Sequence, residues 1–266
     1  MVIRKRFGQH FLEPAWVEKV IRTIDPKPDE AFIEVGPGRG ALTRPLAACA
    51  KSVAAYEIDR DLAAELQATA PPNVTVVQAD FLDLTTTDCR LPTTDYPLRV
   101  AGNLPYNVAS PILFKLVELY TAGLPLRDAT VMLQREVADR LIAAPGSKDY
   151  GVLSILIQHS ATVERVLALP PGAFRPAPKV RSALVRLRFH APQPPVQDAR
   201  AFAGLVQAVF TRRRKTLANG LLAFAGSAKL SPAEALLHGA IDGTRRPETL
   251  AIGEFARLAD VYSAKR

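Results

Sequence analysis

The sequence predicts an α/β protein: a doubly wound, mostly parallel sheet followed by a small all-helical domain. Three observations predict it. Short β-branched runs alternate with longer helical patterns over the first 190 residues. Those runs are apolar nearly throughout, as strands covered by helices on both faces must be. Beyond the Pro-rich segment APQPPVQD (191–198), only helical periodicity remains.

Taken in order, the first element is a helix over 14–24, with Pro14 in the first turn, where a missing N–H costs little. Pro26 and Pro28 end it. AFIEV (31–35) is the first strand of the sheet, SVAAYEI (52–58) the second, VTVVQ (74–78) the third, LRVA (98–101) the fourth and ATVML (129–133) the fifth. Helices are expected between them over 41–50, 60–69 and 110–120. A further helix follows Tyr150-Gly151. Residues 162–167 and 183–189 read as a closing β pair, with the Pro-rich loop AFRPAPKVRS between them.

The expected domains are 1–190 and 191–266, and charge sharpens that division. The second part carries eleven Lys/Arg against six Asp/Glu, or +5; the first carries 23 against 20, or +3. The whole chain, at +8 and a pI near 9.7, suits a polyanionic partner and equally an ordinary basic soluble protein. Cys49 and Cys89 form no CxxC pair, so neither a zinc site nor a disulfide framework is expected, and a reducing cytoplasmic compartment fits. The four histidines, His10, His159, His190 and His238, are scattered without metal-ligand spacing, so no metal is expected. The opening MVIRKRFGQHFLEP has charges with no apolar stretch behind them, unlike a secretory signal. No run of 18 uncharged apolar residues occurs, so no membrane span is expected, and a monomer is the expected state.

Glu34-Val-Gly-Pro-Gly-Arg-Gly40 follows the first strand and leads into a helix. Gly36 and Gly38 allow a tight turn and close approach of backbone to a ligand. Dinucleotide enzymes place a glycine loop here too, but with GxGxxG spacing and a pyrophosphate on the helix end. This loop has GxGxG spacing with an acid two residues ahead, and S-adenosyl-L-methionine brings no phosphate to place there. Glu57, ending the second strand, can take both ribose hydroxyls of either nucleotide. Ile58 offers an apolar face to adenine. Asp80, ending the third strand beside Phe81, can accept from an adenine amine. Any one of these acids alone could equally be solvated or cap a helix.

After the fourth strand comes Asn103-Leu104-Pro105-Tyr106. The exocyclic amine of adenine is a poor nucleophile, because its lone pair is delocalised into the ring. Acceptors on its N–H groups favour a pyramidal nitrogen and free that lone pair. Asn103 supplies an uncharged side-chain oxygen, and the Leu104 carbonyl, fixed by Pro105, supplies another. Tyr106 can stack on the base. The same four residues would also make a simple strand-to-helix turn.

With these motifs assembled, the chain resembles the ribosomal RNA adenine N6,N6-dimethyltransferases, which have a Rossmann-like class I methyltransferase domain. The resemblance covers nearly the whole chain. It rests on RKRFGQHFL (4–12), EVGPGRG, Glu57, Gln78-Ala-Asp80, NLPY, FRPAPKVRS (174–182) and FTRRRKTL (210–217). It implies that His10 and Leu12 line the cofactor pocket and that Gly36, Glu57, Asp80 and Asn103 contact S-adenosylmethionine. It implies that Tyr106 and Phe174 sandwich the target adenine. The implied substrate is a pair of adjacent adenosines in a hairpin loop near the 3′ end of small-subunit ribosomal RNA, each receiving two methyl groups. Two departures stand out: His10 occupies a position where Asn is common in the family, and Arg181 one where Asp is common.

Arg212, Arg213, Arg214 and Lys215 are the candidate phosphate contacts, expected on one helical turn and so around the helix rather than along one face. A plain solvated surface would look the same. Three alternatives stay open: the same chemistry on large-subunit RNA, a ribosome-assembly or transcription factor with this fold and no need of catalysis, and a nicotinamide oxidoreductase.

Overall fold

The computed structural model describes residues 11–88 and 97–264. His10, the basic residues 4–6 and Cys89 lie outside them. Two compact units emerge: one holds the chain to Ala138 with Thr162–Phe189, the other Asp139–Ala161 with everything from His190. The sequence expectation has a single break near 190. The packing has others, because Ala143, Tyr150 and Ile155 join the apolar cluster of the helical unit.

In the first unit, β1 (Phe11–Leu12) precedes α1 (Pro14–Ile24). The sheet then alternates with helices: β2 (Ala31–Val35), α2 (Thr43–Cys49), β3 (Ser52–Glu57), α3 (Arg60–Thr69), β4 (Val74–Gln78), β5 (Leu98–Asn103), α4 (Ala109–Thr121), β6 (Leu126–Gln134). Observed and expected bounds agree within a few residues. β6 extends well before Ala129, because Asp128 and Arg127 continue it as members of an ion network. α5 (Arg135–Leu141) follows β6 without a break, and α6 (Val152–Gln158) is the helix expected after Gly151. Then come β7 (Ala161–Leu169), β8 (Phe174–Arg175) and β9 (Ser182–Phe189).

The seven-stranded sheet has the order β4-β3-β2-β5-β6-β9-β7. Strands β4, β3, β2, β5 and β6 are parallel; β9 runs antiparallel to β6, pairing Val131 with Val185. Every residue of β2 is buried, as in a strand covered on both faces. The chain winds outward from β2 through β3 to β4, then returns to the other side of β2 as β5. The strand order therefore reverses between β2 and β5, and in open α/β sheets ligands bind at the carboxyl ends of such strands. A separate two-residue pairing sets Leu12 opposite Phe174.

The amino-terminal edge of the sheet carries a buried ion network. Arg99 Nε donates to both carboxylate oxygens of Asp128 at 3.1 Å, and its Nη1 to Glu30 Oε2 at 2.7 Å. The same guanidinium donates to the Ile24 and Asp25 carbonyls that end α1, and lies 5.0 Å from the Phe32 ring centre. Arg127 Nη2 closes the network on Glu30 Oε1 at 2.7 Å. Burial alone would raise the Glu30 pKa; the hydrogen bond and charge of Arg99 outweigh it and hold it below the usual carboxylate range.

The second unit is helical. α7 (Ala199–Thr211), α8 (Leu217–Leu221), α9 (Pro232–Gly239) and α10 (Ile252–Ala264) pack Phe202, Leu205, Leu236, Phe255 and Leu258 into one core. Asp198 caps α7 through the Arg200 and Ala201 N–H groups, and Ser231 with Glu234 forms a capping box on α9.

Candidate active site

The site is built from the loops that leave four adjacent parallel strands. After β2 the chain turns through Gly36, whose φ of +68° is in the left-handed region. Its N–H donates to the Tyr56 carbonyl at 3.0 Å, tying the loop to β3. A Cβ at Gly36 would lie 3.8 Å from Pro105 Cδ and 3.9 Å from the Asn103 carbonyl oxygen. The glycine loop and the NLPY loop are thus neighbours, separated by about the width of one missing methyl group.

Glu57, at the end of β3, joins the glycine loop from the other side. Its Oε2 accepts from the Gly38 N–H at 2.9 Å and its Oε1 from the Asp59 N–H at 2.9 Å. Asp80, after β4, accepts from the Leu82 N–H at 2.9 Å and so starts the single turn containing Phe81. The Phe81 ring stands edge-on to Tyr56, with centres 5.9 Å apart.

NLPY follows β5. The Leu104 N–H donates to the Met132 carbonyl and the Pro105 carbonyl accepts from Val108, which starts the turn into α4. Among the described residues no hydrogen bond reaches the Leu104 carbonyl. The Leu104 side chain is buried, anchoring the loop. The Tyr106 hydroxyl shares a 2.9 Å hydrogen bond with Ser182 Oγ at the start of β9. Gly102, just before, has no room for a side chain: a Cβ there would sit 2.5 Å from the Val35 carbonyl oxygen. That close approach brings the ends of β2 and β5 together.

These loops enclose a cavity of about 200 Å³. Leu12, Gly36, Gly38, Glu57, Ile58, Asp80, Phe81, Asn103, Leu104, Pro105 and Tyr106 all line it, so every described cofactor and catalytic candidate is brought to one place. Five of the six expected substrate contacts fall outside this lining. Phe174 does not line the cavity: it is only 2% exposed, packed in the apolar cluster with Leu12, Val17 and Ala173. It stands beside the site through its backbone pairing with Leu12, which does line the cavity. Arg212 to Lys215 belong to the helical unit, in the turn that ends α7 rather than on a helical turn. There Arg213 donates to the Lys148 carbonyl at 2.6 Å and the Ser147 carbonyl at 3.4 Å, while Arg214 and Lys215 are exposed.

Sequence reasoning missed Glu34, Tyr56 and Met132 as lining residues. Glu34 could have been found: it is the acid two residues ahead of the loop. It is fully buried, with Oε2 lacking any hydrogen-bond partner. Burial pushes its pKa up to about 7; the Thr43 hydroxyl partly opposes that shift and the Glu57 charge adds to it.

The lining fits a cation-bearing nucleoside. It presents three carboxyl groups, Glu34, Glu57 and Asp80, and among the described residues no Lys, Arg or His. A pyrophosphate would meet only negative charge. The apolar faces of Ile58 and Phe81 suit a purine ring. Among the described residues no group of three or more His, Cys, Asp or Glu is placed to hold a metal ion, and no helix is long and apolar enough to cross a membrane.

Comparison with known proteins agrees with this geometry. The family model described as ribosomal RNA adenine dimethylase matches residues 2–263. A protein of Leptothrix cholodnii named ribosomal RNA small subunit methyltransferase A is 44% identical over 257 residues, covering 96% of this chain and 90% of its own. Its namesake in Acinetobacter baylyi is 42% identical, covering 97% and 91%. Among solved structures, a dimethyladenosine transferase from Plasmodium falciparum superposes with a TM-score of 0.75 at 24% identity, covering 94% and 96%, a likeness of fold alone. The 23S rRNA methyltransferase ErmE gives 0.62 at 28% identity, covering 95% of this chain and 99% of its own.

Proposed function

The chain belongs to the ribosomal RNA adenine dimethylase family, and from that premise we propose how its own residues carry out N6,N6-dimethylation of adenosine in small-subunit ribosomal RNA. The substrate is two adjacent adenosines in a hairpin loop near the 3′ end of that RNA. The observation that carries the reading is the close approach of the glycine loop at Gly36 to the NLPY loop at Asn103 and Pro105. One cavity then serves both donor and acceptor.

S-adenosylmethionine, when bound, supplies a methyl group already activated on a sulfonium. The chain supplies position and electrostatics. Glu57 already accepts two backbone N–H bonds, and a carboxylate offers about four lone-pair sites, so it holds the loop and still receives ribose hydroxyls. Asp80 has the same double use at the adenine end. Asn103 and the Leu104 carbonyl accept from the target amine and leave its lone pair pointing away from the ring. Tyr106, held by Ser182, provides the flat face against the base. The methylated nitrogen sheds its proton to solvent, so no general base is assigned. A loop adenosine reaches such a pocket at lower cost than a paired one.

The helical unit is assigned to RNA binding, with Arg212, Arg214 and Lys215 as the available cations. The protein acts as a cytoplasmic monomer without a metal. Large-subunit RNA is the weaker alternative: relatives named for the small subunit are 42–44% identical to this chain, against 28% for ErmE. A factor without catalysis would not need the donor and acceptor loops kept in register. The test is methyl transfer from labelled donor to purified small subunits, followed by site mapping. Label on two adjacent adenosines near the 3′ end supports the reading; label only in large-subunit RNA, protein or DNA ends it.

A further inference from the structure

Glu34 plays no part in the steps just described, yet it stands in the wall of the same cavity with its neighbours fixed. It is the last residue but one of a strand buried from end to end, is 1% exposed, and its Oε2 meets no donor. The groups facing it are few. From α2 comes the Thr43 side chain, whose hydroxyl offsets only part of the effect of burial on Glu34. From β3 comes the carboxylate of Glu57, whose charge acts on it; Asp80 lines the same cavity after β4, and Tyr106 after β5. No cationic side chain among the described residues enters this lining. A buried carboxylate beside a second carboxylate, with nothing positive near it, is costly to ionise until a positive charge arrives.

We infer that Glu34 senses the charge of the methyl donor: the fraction of molecules that holds a proton on Glu34 before the donor binds gives it to solvent as the positively charged methionyl half seats beside it. This rests on the reading of the cavity as the donor site. The balance is one O–H bond broken, the proton passed to buffer, and a carboxylate left opposite the donor's positive charge. With its pKa raised to about 7, the group is half protonated at neutral pH, so the release falls in the physiological range. The consequence is selectivity. A neutral adenosine derivative cannot draw the proton off and so gains nothing from Glu34, whereas a cationic donor gains a newly formed ion pair.

The experiment is titration calorimetry of the full chain in two buffers of different ionisation enthalpy, which counts protons released per ligand bound. The probes are S-adenosylmethionine and 5′-methylthioadenosine, which keeps adenine, ribose and sulfur but carries neither positive charge. Expected with the first is release of about half a proton at pH 7, rising to about 0.9 at pH 6 and falling to about 0.1 at pH 8. Expected with the second is binding without release. Glu34→Gln should bind S-adenosylmethionine with the release abolished. The inference is overturned by release unchanged in Glu34→Gln, by equal release with both probes, or by none with S-adenosylmethionine at pH 6. Should Glu34→Gln not fold, the wild-type profile decides alone, since a release that grows towards pH 8 belongs to another group. Failure of S-adenosylmethionine to bind at all would instead remove the donor-site reading itself.

Discussion

The carboxylate of Glu57 accepts the Gly38 N–H at 2.9 Å, so the acid that ends β3 and the glycine loop that follows β2 are one structural unit. Replacing Glu57 does two things at once: it removes an acceptor for the donor's ribose and releases the loop. A hydrogen bond to a charged group contributes about 1.5–3 kcal/mol. Glu57→Ala should therefore weaken S-adenosylmethionine binding by about 10- to 100-fold or more. Amide exchange at Gly38 should speed up in the same variant. Unchanged exchange with weakened binding would show that Glu57 touches ligand only.

Asn103 is expected to act on rate more than on folding. It ends β5 at the cavity, half-buried, and its backbone pairs with Met132 whatever its side chain. Asn103→Ala removes an acceptor for the target amine and costs about 10²- to 10³-fold in single-turnover methyl transfer, the usual loss for one preorganised electrostatic partner. The melting temperature should move little. A variant that transfers methyl groups at the wild-type rate would take Asn103 out of the chemistry.

The basic run 212–215 divides by what each side chain already does. Arg213 is spent on the Ser147 and Lys148 carbonyls and lies 4.0 Å from Glu248; Arg214 and Lys215 face solvent. Arg213→Ala should lower stability by about 1–2 kcal/mol and leave the salt dependence of RNA binding nearly unchanged. The pair Arg214→Ala with Lys215→Ala should leave stability unchanged and lower the slope of log affinity against log salt by about 1–2. Salt titrations of RNA binding, set beside urea melts, separate the two.

Much of this was legible in the sequence, for a physical reason. A strand covered on both faces is a nearly continuous apolar run, so AFIEV shows its bounds directly. The loops that carry chemistry sit at strand ends and hold residues that only special backbone requires, as at Gly36. Less legible was whatever depends on distant pairing. Phe174 reads as a base-stacking aromatic from its motif, but its pairing opposite Leu12 buries it. The α5–α6 region reads as part of the sheet unit because it lies between two of its strands; only packing shows that Tyr150 and Ile155 join the helical core. Arg99 carries no signal of its own within LRVA, because the carboxylates it pairs with lie 69 and 29 residues away.

That network gives a prediction far from the site. Arg99→Met leaves buried Glu30 and Asp128 with only the half-exposed Arg127 between them, and breaking a buried ion pair from one side costs about 3–5 kcal/mol. Glu30 loses the larger of the two charges that hold its pKa down, Arg127 keeping the smaller. With Arg99 present, the group's contribution to stability is held above its unfolded pKa and lost as pH falls through the lower, folded value. The variant should lose that acid-side dependence, while donor affinity per folded molecule stays at the wild-type level. Weakened donor binding in folded Arg99→Met would mean that the two edges of the sheet are coupled.

Glu34 gives the opposite sign. Its pKa rises from 4.5 unfolded to about 7 in the folded chain, so the folded state holds the proton more tightly. The stability this contributes is fully present below about pH 4.5 and is lost as pH rises through about 7, a change of roughly 3 kcal/mol for a buried group. Glu34→Gln, which cannot ionise, should lose none of it. In the absence of ligand, the stability difference between variant and wild type should therefore grow in the variant's favour from pH 5 to pH 8. Other carboxylates titrate in both proteins and cancel in that difference. Urea denaturation at several pH values measures it, and S-adenosylmethionine should narrow the gap at pH 8 by giving the ionised carboxylate of the wild type its partner. A difference that stays flat across this range would place the Glu34 carboxyl in contact with water or a donor, and its pKa back among ordinary carboxylates.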